Sequence, residues 1–111
     1  MDKIYGGSTL KMAINFSYPA DPSVSLTSIS WQTEWYTSEG LTTLVIPNNG
    51  HRAESVTEQG VTRVQYYAYV PTENLGKGEL YFRLKCQIPD AFLTDGYRTD
   101  ISEGTTNVVI E

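Results

Sequence analysis

Gly78-Glu79-Leu80-Tyr81-Phe82-Arg83-Leu84-Lys85-Cys86-Gln87-Ile88 is the stretch that decides the fold. Leu80, Phe82, Leu84, Cys86 and Ile88 share one parity; Glu79, Tyr81, Arg83, Lys85 and Gln87 share the other. Side chains alternate between the two faces of a strand, so a period of two predicts a strand with an aliphatic row buried and a polar row turned to water or to a partner. A row this apolar belongs to a central strand.

Working outward, Val61 to Val70 reads as another strand, with Val64, Tyr66, Ala68 and Val70 on one face and Arg63, Gln65, Tyr67 and Tyr69 on the other. Pro71 ends it, and 71–77 has room for a single helical turn, too short to stand alone. If these two strands are antiparallel neighbours, as consecutive strands often are, then Tyr67, Tyr69, Tyr81, Arg83 and Lys85 share one outer face. Earlier in the chain, Ile29, Trp31, Thr33 and Trp35 alternate with Ser30, Gln32, Glu34 and Tyr36. Trp31 reads as a core anchor bridging two sheets. Trp35, nearer the strand end, reads as a rim or contact residue. Leu10, Met12, Ile14 and Phe16 mark a first strand after the flexible Gly6-Gly7-Ser8, and Leu41 to Ile46 mark a short one stopped by Pro47. The prolines of 18–23 predict a surface loop. Ala53 to Gly60 is polar and reads as a crossing or irregular segment, and Thr105 to Ile110 as the closing strand.

The whole chain, 111 residues with 40% hydrophobic and 19% charged side chains, fits one globular domain over 1–111 rather than a disordered segment. A formal charge of −5 argues against the phosphate attraction that nucleic-acid binders rely on. The N-terminus has no apolar signal core, and no window approaches the roughly 18 apolar residues of a membrane span. Neither nucleic acid nor membrane is therefore an expected partner.

The residue types that carry chemistry are sparse. Cys86, the single cysteine, lies on the buried parity, where a thiol behaves as a small apolar group. His51, the single histidine, falls in the Asn48-Asn49-Gly50-His51-Arg52 turn and reads as a solvated loop residue, with no cluster of ligands to make a metal site. Asp90 and Asp95 lack the spacing of a calcium loop and read as turn-formers around an Asp-Gly turn, flanking the apolar pair Phe92 and Leu93. Asn15-Phe16-Ser17 has the glycosylation pattern, but Phe16 belongs to a buried row. No paired acid and base or nucleophile elbow appears, so no enzyme, cofactor or metal is expected. For the tyrosine face three readings stand: cross-strand packing, a protein interface and a carbohydrate platform.

Gly7-Ser8-Thr9-Leu10-Lys11-Met12, the Ile29-x-Trp31 strand, the Ile46-Pro47 strand end, and Gly78-x-Leu80-x-Phe82-x-Leu84 followed by Pro89-Asp90 and Asp95-Gly96 together resemble the immunoglobulin-like modules of phage and prophage tails. The resemblance is to the N-terminal domain of baseplate upper proteins of gut Bacteroides phages. It implies an all-β, immunoglobulin-like antiparallel β-sandwich of about seven strands. It further implies a non-enzymatic structural or adaptor role in a tail or baseplate assembly, with other virion proteins or further copies of the chain as partners. The place of action would be the virion, or the bacterial cytoplasm before assembly. The expected contact surface is Trp35, Tyr67, Tyr69, Tyr81 and Arg83. The alternative is a carbohydrate-binding β-sandwich module of a gut bacterium using the same aromatics.

Overall fold

The computed structural model describes residues 2–16, 20 and 24–111. In chain order the strands are β1 (Asp2–Ile4), β2 (Thr9–Ile14), β3 (Trp31–Thr37), β4 (Leu44–Pro47), β5 (Arg52–Glu58), β6 (Val61–Pro71), β7 (Gly78–Pro89) and β8 (Tyr97–Ile110), with one 3-10 turn over Asn48–Gly50. They form a sheet ordered β1-β8-β7-β3-β4 and a smaller one ordered β2-β6-β5. The molecule is an all-β sandwich. The loop expected over 18–23 and the Ser17 of the glycosylation pattern lie outside the described residues, Ala20 apart.

β7 sits between β3 and β8, with Leu80, Leu84, Cys86 and Ile88 buried, as the alternation predicts. β3 runs antiparallel to it, pairing Trp31 with Cys86, Thr33 with Leu84 and Trp35 with Phe82. One apolar row thus lies across another, facing Ala68, Val70 and Ile14 of the smaller sheet to make the core. The Trp31 indole donates to Leu26 O at 3.0 Å, which fixes the connection carrying the buried Leu26 and Ile29 against the sandwich.

Several expectations need correction. There are eight strands among the described residues, and β1 pairs with β8 in parallel, Ile4 opposite Ile110, so the sandwich is not wholly antiparallel. Three residues are too few for a period to show. The polar stretch after His51 is not irregular: β5 pairs along its length with β6. The two are joined by Gln59 and Gly60, both at positive φ (50° and 78°), the backbone of a tight hairpin turn. As an edge strand β5 is largely exposed on both faces, so no alternation marks it. The closing strand begins at Tyr97 rather than Thr105. A bulge interrupts it, with Thr106, Asn107 and Val108 lying across from Leu80 alone; Asn107 takes φ 58°. Residues 71–77 form a crossing turn, not a helix. Toward the start of β6 the alternation also fails. Val64 is exposed and Gln65 buried, because the Gln65 amide donates to Ile14 O at 2.9 Å where β2 ends.

His51 is the largest departure: it is buried, not solvated. Its Nδ1 lies 2.8 Å from Pro47 O, a pure acceptor, so Nδ1 carries the proton. Nε2 then accepts from the Thr33 hydroxyl at 2.7 Å, and the Thr33 oxygen accepts from the Trp35 indole at 2.9 Å. The ring also packs on Trp31, centroids 4.3 Å apart. Burial holds its pKa below the ordinary 6.5, against the backbone contacts that favour its charge. Every polar atom of this buried chain has a partner, as interior polar groups require.

Candidate functional site

The five residues expected to share a contact surface do not. Trp35 is 1% exposed and stacks on Phe82 at 5.4 Å, because β3 continues to Thr37, pairs Trp35 with Phe82 of β7 and turns it into the core shared with Ile14, Ala68 and Val70 of the smaller sheet. Tyr67 and Tyr69 belong to the smaller sheet, while Tyr81 and Arg83 belong to the larger. The cause is the connection after β6, which crosses between sheets rather than folding back as a hairpin. Thr72 anchors the crossing, its hydroxyl donating to Ser8 O at 2.6 Å. Thr37 donates to Leu75 O at 2.8 Å and Leu75 is buried. Gly40 lies so close that a Cβ there would overlap Leu75 O and Thr37 Oγ1.

Two aromatic faces result, on opposite sides of the sandwich. On the larger sheet Tyr36 and Tyr81 stack at 5.6 Å with 22° between planes, and the Arg83 guanidinium lies 4.6 Å over Tyr36. Arg83 approaches Glu34 at 3.1 Å and Glu103 at 3.8 Å. The Glu34 contact is close enough for an ion pair but misaligned for a hydrogen bond from Nε. The Tyr81 hydroxyl donates to Glu79 at 2.9 Å, and that bond raises its pKa. On the smaller sheet Lys11 lies 4.3 Å over Tyr67 and 5.9 Å from Tyr69. It also pairs with Glu54 at 3.2 Å, which raises the lysine pKa. In both faces the rings and charges are engaged with one another.

A third feature is less self-contained. The β7–β8 hairpin ends in a tip where Phe92 is 99% exposed and Leu93 and Tyr97 are also exposed. The tip is well tied. Asp90 N–H donates to Gly96 O at 2.8 Å, Gly96 N–H to Leu93 O at 3.0 Å, and Leu93 N–H to Asp90 O at 3.3 Å. The Asp90 and Asp95 carboxylates accept from Phe92 N–H at 3.0 Å and Tyr97 N–H at 3.2 Å, so the two act as turn-formers. Gly96, at φ 80°, supplies the left-handed conformation that closes the turn at no steric cost. Asp90 also lies 3.8 Å from Arg98. The outcome is an apolar side chain held out in water on an ordered turn, next to the exposed Leu93 and Tyr97, and it is grouped apolar exposure rather than a single exposed residue that marks a contact site. The sequence showed this apolar pair between turn carboxylates, but as turn chemistry rather than as a site.

The single cysteine is poorly placed to act as a nucleophile. Cys86 is buried, its thiol pushed up to about 11 by burial and by the nearby Asp100, whereas nucleophilic cysteines need a lowered pKa and access. Among the described residues no group of three His, Cys, Asp or Glu is arranged to hold a metal ion. No helix among them is long and apolar enough to cross a membrane. Compared with known proteins, the chain matches no family model, no curated protein and no solved structure.

Proposed function

We propose that this chain is a non-enzymatic adaptor domain working through protein–protein contacts, with Phe92 and Leu93 at the tip of the β7–β8 hairpin as its anchor. The observation that carries the reading is the fully exposed phenyl ring on a turn closed by backbone and aspartate hydrogen bonds. Burying a Phe or Leu side chain in a partner's pocket yields about 1.5–3 kcal/mol each. A pre-ordered turn loses little entropy in doing so. Buried aromatic anchors of this kind dominate interface energetics.

The strand order supports the immunoglobulin-like reading. If β2 to β8 are taken as B, C, C′, D, E, F and G, the sheets read B-E-D and C′-C-F-G, with β1 on the G edge, which follows the variable-type arrangement. The tip is then the F–G loop, which variable domains use for recognition; that is analogy at the level of fold. The resemblance to phage-tail modules supplies the setting: attachment of one component of a tail or baseplate to another, in the virion or in the host cytoplasm before assembly.

A carbohydrate-binding role is the second reading, favoured by Glu34, Glu79 and Glu103 around the Tyr36–Tyr81 pair. It ranks lower because Arg83 already covers the Tyr36 ring, and sugars need an open aromatic face. The deciding experiment replaces Phe92 and Leu93 with Ser and measures, by mass spectrometry, incorporation of the chain into purified tail particles, alongside a glycan panel on the wild-type chain. Lost incorporation with unchanged stability is the expected result. Normal incorporation of the variant rejects the tip, and glycan binding lost on Tyr81→Ala replaces the adaptor reading.

A further inference from the structure

β8 is fourteen residues long, yet on the side away from β7 it is paired only over Val108–Ile110, by β1. Upstream of the bulge at Asn107, residues 97–105 present an edge without a strand partner among the described residues. Beneath that edge Asp100 and Ser102 line a cleft of about 230 Å³ with Asn15, Phe16, Phe82 and Leu84. The cleft exists because β2 is itself an edge strand and does not pair with β8. Among the described residues the flank carries no strand from either sheet.

Natural proteins guard exposed edges with short strands, lysine, proline or inward-pointing charge. The other edges carry such guards: β4 is four residues ending in Pro47, β2 is short and carries Lys11, and β5 is lined by Arg52, Glu54 and Glu58 in ion pairs. Residues 97–105 contain neither proline nor lysine; their guard is the inward-pointing pair Arg98 and Asp100, opposite the buried Ile88 and Cys86. At their centre stands Ile101, 53% exposed.

We infer that this edge pairs with the same edge of a second copy, antiparallel about a two-fold axis through Ile101, so that the larger sheets of two copies become continuous. The sequence Tyr97-Arg98-Thr99-Asp100-Ile101-Ser102-Glu103-Gly104-Thr105 is self-complementary in this register. Tyr97 meets Thr105, Arg98 meets Gly104, Thr99 meets Glu103, Asp100 meets Ser102, and Ile101 meets itself. No like charges stand opposite one another, which is the arrangement that cross-strand pairs favour. Asp100, whose inward charge would repel an apolar strand, faces a hydroxyl able to donate to it. Closed two-fold pairing uses the same patch on both copies, and the open cleft leaves room for the approach. The pairing does not involve the hairpin tip at Phe92, so it stands or falls separately from the adaptor reading.

The test is the solution mass of the full chain by light scattering behind a sizing column, over a wide concentration range, for wild type, Ile101→Lys and Ile101→Cys. Wild type should approach twice the 12.4 kDa chain mass as concentration rises. Ile101→Lys, which sets two ammonium groups face to face, should stay monomeric with an unchanged circular dichroism spectrum and melting temperature. Ile101→Cys should form a disulfide-linked dimer on mild oxidation, since facing Cβ atoms in such a pair lie about 4.5–5.5 Å apart, within small backbone adjustment of disulfide range. A Val45→Cys control on the exposed face of β4 should not. A wild-type chain monomeric at every concentration, a dimer that survives Ile101→Lys, an open-ended assembly, or a dimer that Ile101→Cys fails to cross-link would each overturn the inference.

Discussion

Replacing Thr33 with valine keeps the shape of a fully buried side chain and removes one oxygen. That oxygen accepts from the Trp35 indole at 2.9 Å and bonds His51 Nε2 at 2.7 Å. Neither partner has a substitute: Trp35 is buried, and the other His51 nitrogen is committed to Pro47 O. Two buried polar atoms are therefore left unpaired, at about 1–3 kcal/mol each. The added methyl group offsets about 0.8 kcal/mol. The net loss is about 1–5 kcal/mol, against the roughly 5–15 kcal/mol of a domain this size. In urea titrations the midpoint should fall with an unchanged slope, and the melting temperature should drop by roughly 5–20 °C, at about 4 °C per kcal/mol. Thr33→Ser, which keeps the hydroxyl and loses only a methyl, should lose about 1 kcal/mol. If Thr33→Val melts within a degree or so of wild type, the hydrogen-bond chain has no energetic weight and the account of this core is wrong.

Two further predictions concern titratable groups in the interior. His51 is held neutral by burial, with its pKa below 6.5. Below that value the unfolded chain binds a proton that the folded chain does not, so the stability present at neutral pH is lost as pH falls below 6.5 and through the lower folded-state pKa. The loss should be smaller in His51→Gln, and equal pH dependence of urea midpoints in the two proteins would refute this. Cys86, with its thiol pushed up to about 11, should resist a thiol-specific reagent in the folded chain at neutral pH and react fully in urea; rapid native labelling would show that the site is open.

Much of the fold was legible because the sandwich is one-sided. β7 and β3 each turn one row inward, and a period of two survives in the sequence wherever that holds. It vanished where the physics differs: β5 is exposed on both faces, and β1 is too short to show a repeat. The candidate surface failed for a different reason. Tyr67, Tyr69, Tyr81 and Arg83 were correctly placed on outward parities, but whether β6 and β7 share a sheet depends on Thr72 reaching Ser8 and Leu75 entering the core, contacts between distant parts of the chain. The parity of Trp35 had already put it with Trp31, and only its position near the strand end suggested a rim. His51 looked solvated because its turn is polar, and its burial comes from Thr33, eighteen residues away. The hairpin tip was visible throughout as Phe92 and Leu93 between Asp90 and Asp95.

The central proposal, that this domain works by protein contact through the hairpin tip, is tested most directly by hydrogen exchange on the free chain and on the chain incorporated into the tail particles to which the proposal assigns it. Peptides covering 90–97 should become protected in the assembly, while those covering the Tyr67 and Tyr69 face keep their free-chain rates. Unchanged exchange at the tip with protection elsewhere, or no protection anywhere, would contradict it.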